Sequence, residues 1–143
     1  MGLLGRVFAA QEAFADALRA ALPTEVKVDV GYPYDFRPQH VWVSSGNDAG
    51  VKAVDSGMAL FESEPRIGGG VAVRQYAGED WAPVRARLLE LVGLVEAILQ
   101  ADRTLGGTCS GAHVSGFEVK EQIEGSEVGL IFYFELQLRQ YGG

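Results

Sequence analysis

The residues best able to do chemistry lie together at Gly107-Thr108-Cys109-Ser110-Gly111, with His113 two positions beyond. A Gly-x-Cys-x-Gly run matches a nucleophile elbow, in which a thiolate sits on a sharp turn beside oxyanion-stabilising N–H groups. That chemistry needs a strand leading into the turn and a helix leaving it. Here the order is reversed: helical periodicity ends before the run and strand alternation follows it. In a chain with 19 glycines, such a five-residue match also arises easily. Cys109 therefore reads as a small residue at a strand entrance, and a small cytosolic thiol enzyme is the remotest reading.

Other chemistry is thinner still. His40 and His113 cannot hold a metal without carboxylates, and no His-x-x-His or Cys-x-x-Cys spacing occurs. Both histidines read as ordinary half-exposed residues at strand starts. Gly68-Gly69-Gly70 is followed by neither Lys-Ser/Thr nor a helix, so it is no phosphate loop. Asp35, Asp48, Asp55, Glu62 and Glu64 are plentiful, but no pair has the surroundings of an acid/base dyad. No catalytic residue, cofactor or metal is expected.

The binding signals are better. Tyr32-Pro33-Tyr34-Asp35-Phe36-Arg37-Pro38 sets three aromatics and two prolines in one connection. Aromatic, arginine-containing loops are typical interface material, although such loops also fold back to cover a sheet end. From Ser44 to Ser56 runs a long polar stretch whose larger apolar residues are Val51 and Val54. It reads either as a hairpin tip with no role of its own or as a functional arm.

The elements that position these residues follow from periodicity. Leu3, Val7, Ala10, Phe14, Leu18 and Leu22 make one helical stripe, closed by Pro23. Val84, Leu88, Leu91, Val92, Val95, Ile98 and Leu99 make a second. Asp80 is its expected cap, Pro83 lies in its first turn, and Gly106-Gly107 is the breaker. Strand alternation covers Val26–Val30, Val41–Val43, Met58–Ser63 and Val71–Tyr76, with Glu64-Pro65-Arg66 and Gly68-Gly69-Gly70 read as an irregular connection. The last strand is the clearest: Val128, Leu130, Phe132, Phe134, Leu136 and Leu138 alternate with Ile131, Tyr133, Glu135, Gln137 and Arg139. Its hairpin partner runs from about Thr108 to Ile123 and changes phase across Gly116, which predicts a β-bulge at Ser115–Gly116. The expected fold is α+β, a mainly antiparallel sheet flanked by two helices, in the order α-β-β-β-β-α-β-β.

Composition bounds the rest. The 143 residues suit one domain, 1–143, without linker or repeat, and 48% apolar with 22% charged residues is an ordinary globular balance. Nineteen acidic against 12 basic residues give a net charge of −7, which disfavours general nucleic-acid binding and adhesion to anionic membranes. Cys109 is the sole cysteine, so no intrachain disulfide forms and a reducing compartment fits. No run approaches the ~18–20 apolar residues of a membrane span. The Met1–Ala10 start reads as an amphipathic helix, because Arg6 interrupts it and Glu12, Asp16 and Arg19 follow at helical spacing. Cytosolic synthesis without export is the expectation.

Two stretches carry a family resemblance. Val26-x-Val28-x-Val30-Gly31-Tyr32-Pro33 followed by His40-Val41-Trp42-Val43 resembles the early strands of small siphophage tail terminator proteins. Val95 to Gly107, a helix ending in Asp102-Arg103-Thr104-Leu105-Gly106-Gly107 close before the final hairpin, is similar as well. The likeness in element order spans nearly the whole chain, while its motifs are short and structural. It implies a non-enzymatic virion protein, made in the bacterial host cytoplasm. Such a protein forms a ring, typically a hexamer, which caps the tail tube, ends its polymerisation and presents a docking surface to the head-completion or neck protein. The implied partners are copies of itself, the tail tube protein and the neck protein, with phage DNA passing through the channel unbound and no membrane. Six copies of a −7 chain would carry −42, which would help DNA slide past without sticking. A head-completion or other neck protein is the alternative. On this reading Tyr32, Tyr34, Phe36, Trp42 and Tyr133 serve subunit contact or cover the sheet, and Asn47, Asp48, Val51, Lys52, Val54 and Asp55 belong to an arm that reaches a neighbour or the tube.

Overall fold

A computed structural model describes residues 2–45, 65–76 and 80–139. Helix α1 (Leu3–Ala21) is followed by strands β1 (Lys27–Val30), β2 (Gln39–Ser44) and β3 (Arg66–Tyr76). Helix α2 (Ala82–Ala101) and the long strands β4 (Gly111–Glu124) and β5 (Glu127–Arg139) follow. The five strands form one mixed sheet in the order β1-β2-β3-β5-β4, with β1 parallel to β2 and every other pair antiparallel. The fold is α+β, with two helices among the described residues. The strand expected over 58–63 lies outside the described residues.

Both helices lie on one face, because their apolar stripes have only one layer to bury against. Val7, Ala10, Phe14, Leu18 and Leu22 of the first stripe are buried, as are Val84, Leu88, Leu91, Val95 and Leu99 of the second. They meet Val41 and Val43 of β2, Ile67, Val71 and Val73 of β3, and the Val128–Leu138 alternation of β5 in a single core. Helix α2 opens with the Ala82 N–H donating to Asp80 Oδ1 at 3.0 Å, and Pro83 occupies its first turn. The expected bulge is present: Val114 pairs Leu136 and Gly116 pairs Glu135, so Ser115 is the extra residue.

The triple glycine is a correction. Gly68, Gly69 and Gly70 lie inside β3, in full register with both β2 and β5, instead of forming a turn. The reason is space. A Cβ on Gly70 would overlap the Trp42 ring, and one on Gly69 would overlap the Trp42 carbonyl and crowd Phe134 on the opposite face. The glycines let large rings of neighbouring strands lie flat across β3.

Candidate functional site

The helix-ending motif is a capping device. Asp102 accepts hydrogen bonds from the Thr104 hydroxyl at 2.5 Å, the Gly106 N–H at 2.9 Å and the Thr104 N–H at 3.0 Å. The Thr104 bond, followed by the Gly106 N–H, holds the Asp102 carboxyl below its usual value. Leu105, Gly106 and Gly107 then run through φ values of 48°, 69° and 82°, a left-handed turn that glycine tolerates and Leu105 tolerates at a cost. Leu105 is buried, which holds it there.

Cys109 sits just beyond that turn with 0% exposure. Its Sγ points at the carbonyls of Thr104 and Arg103, at 3.5 and 3.7 Å. Burial pushes its pKa up, the opposite of what an attacking thiolate needs. A helix precedes it and a strand follows, so the elbow geometry is absent, and His113 stands exposed on β4. Among the described residues no three His, Cys, Asp or Glu side chains cluster as metal ligands.

The aromatic connection, residues 31–38, performs an unexpected task. It joins two parallel strands, a return usually made by a longer crossover, and it packs on the sheet face opposite the helices. Phe36, Tyr32 and Tyr133 surround Trp42 edge-on, with centroids 5.3, 5.7 and 5.9 Å away. Trp42 is wholly buried and rests on β3, flanked by Ala72 and Ile131. The Arg74 guanidinium donates to the Phe36 carbonyl at 3.0 Å and fixes the loop. His40 is a second correction: it is 1% exposed rather than half-exposed. Its Nδ1 accepts the Arg37 N–H at 3.0 Å, so Nε2 carries the proton and donates to Asp29 Oδ2 at 2.7 Å. Strand periodicity places His40 on the aromatic face, but the loop that buries it is invisible to periodicity.

The five aromatic candidates therefore divide. Trp42 and Phe36 cover the sheet. Tyr133 joins them half-buried, and its pKa is pushed up to about 12, first by burial and then by a hydrogen bond to Tyr32. Tyr32 is 62% exposed and Tyr34 stands fully clear of the protein. Asn47, Asp48, Val51, Lys52, Val54 and Asp55 lie outside the described residues.

A surface not singled out by sequence lies at β4. The helices cover the sheet only as far as β5, and β4 contributes only Ala112 to the core. Past the bulge, Phe117, Val119 and Ile123 pair with Phe134, Phe132 and Val128, so they face the helix side. They are nonetheless 70%, 49% and 73% exposed. Phe117 stacks on Phe132 at 5.5 Å, and together they border an apolar groove of about 480 Å³ against Val92, Val95 and Leu99 of α2. Their alternation was readable from sequence; the missing cover was not, since that depends on how far α2 reaches. Glu135 on the other face is buried as well, held by Arg66 at 3.3 Å and by the Ser115 hydroxyl at 2.9 Å. The bulge is thus pinned by its own side chain. Compared with known proteins, the chain matches no protein-family model and no curated protein.

Proposed function

We propose that this chain is a structural joining protein of a siphophage tail, a ring-forming tail terminator that caps the tube and offers its other face to the neck. One observation carries the reading: Phe117, Val119 and Ile123 stand exposed on β4 beside an apolar groove, a surface suited to protein contact. The resemblance of the 26–43 and 95–107 segments to tail terminators supplies the class. The exposed Tyr32 and Tyr34 supply a second contact surface, away from the first. Buried Cys109, with its thiol pKa raised, weighs against the thiol-enzyme alternative.

The test is electron microscopy of the purified chain, alone and mixed with tail tubes. Rings of about six subunits seated on tube ends are the expected result. A monomer that decorates no tube end would overturn the proposal, and a twelvefold ring would favour a head-completion protein instead.

A further inference from the structure

The two edges of the sheet are chemically different, and their difference suggests how copies meet. Strand β4, 14 residues long, is one edge, and among the described residues no strand pairs with its outer side. It carries Glu118, Glu121 and Glu124, all exposed and without an ion pair among the described residues, against one cation, Lys120, which lies over the Tyr133 ring. Strand β1, four residues long, is the opposite edge. Beside it opens a polar groove of about 520 Å³ whose lining includes Arg19, Lys27 and Arg37. Glu25 is the one acid lining that groove, and it pairs with Arg87 at 3.0 Å. The Arg37 guanidinium has no ion pair among the described residues, and Lys27 reaches Asp29 only at 3.8 Å. Arg19 is shared between Asp16 at 3.1 Å and the Val28 carbonyl of β1 at 3.5 Å. Each edge also has exposed apolar residues: Phe117, Val119 and Ile123 at β4, and Val30 at β1.

We infer that the acidic β4 edge of one copy docks on the β1 edge of the next, beside its Arg19–Lys27–Arg37 groove, head to tail, extending the sheet from subunit to subunit. The occupant of the β4 shelf is thus a second copy of this chain. Free edge strands recruit further strands through their unpaired backbone groups. Charge selects which edge: β4 against β4 would set two acidic rows together, whereas β4 against β1 sets Glu118 and Glu121 against a groove lined by Arg19, Lys27 and Arg37, with Asp29 and Asp35 as the acids nearby. A contact between two unlike patches is heterologous, so it closes into a ring when the rotation per subunit allows. The inference rests on the ring reading above and specifies its interface.

The test uses the full chain and two exposed charge reversals, Glu118→Lys with Glu121→Lys, and Lys27→Glu with Arg37→Glu. Assembly is read by sedimentation and particle counting, with circular dichroism as the folding check. Each double variant alone should assemble about tenfold more weakly or worse, because like charges then face each other. An equimolar mixture should recover assembly, since every contact in an alternating ring is again complementary. Wild-type rings indifferent to either reversal would overturn the edge contact while leaving the ring reading intact, as would a mixture that fails to recover. A wild-type chain that stays monomeric would overturn it too. Loss and recovery as expected, in assemblies that do not cap tubes, would support the edge contact and remove the tail-terminator reading.

Discussion

The aromatic face around Trp42 and the shelf at β4 hold similar apolar material and end in opposite states. At Trp42, Phe36 and Tyr32 fold back and close the surface, and Gly70 clears the floor beneath the indole. At β4, Phe117, Val119 and Ile123 lie in correct register with β5, yet among the described residues no helix passes over them. The first region spends its apolar area inside the subunit; the second leaves it for something outside. Stability should therefore respond strongly at the first and weakly at the second, and association the other way round.

The largest effect should come from Trp42→Ala, which removes a wholly buried ring and should cost about 3–5 kcal/mol in chemical denaturation. Gly70→Val comes next: the added methyls meet the indole, and overpacking should cost about 1–3 kcal/mol, read by the same denaturation curves. Tyr133→Phe acts through pH. The folded phenol titrates near 12 against about 10 when unfolded, so the folded state holds its proton more tightly. The stability it supports is fully present below pH 10 and is lost as pH rises towards 12, and the phenylalanine variant should show a shallower alkaline decline in unfolding titrations. At the other region, Ile123→Ser should change monomer stability by less than about 0.5 kcal/mol, because the side chain is mostly in water. The same substitution should weaken association measured by sedimentation. An Ile123→Ser chain that unfolds as readily as Trp42→Ala would erase the distinction between the regions.

Much of the architecture was legible because it is local. Six alternating apolar residues from Val128 to Leu138 define β5, and both helix stripes became the core. The phase change between Val114 and Phe117 located the bulge to Ser115–Gly116, where it lies. Gly68-Gly69-Gly70 misled because glycine in sequence signals a turn, whereas here the smallness of Gly69 and Gly70 serves rings on β2 and β5, 27 or more residues distant in the chain. His40 misled for a related reason: its burial comes from a connection that returns across the sheet. The surface at β4 was only half legible, since periodicity assigns a face and not the distance to which a helix covers it.

The bulge at Ser115 separates β4 into two stretches with different histories of constraint. Before it, Ala112 is locked among core side chains; beyond it, every residue of β4 except half-buried Gly116 is exposed. Substitutions in the outer stretch can therefore accumulate without costing the domain its fold, provided that the pairing with β5 survives. The tip of the hairpin can change its preferred neighbour faster than the protein around it changes, and sequences sharing this core would be expected to diverge there first.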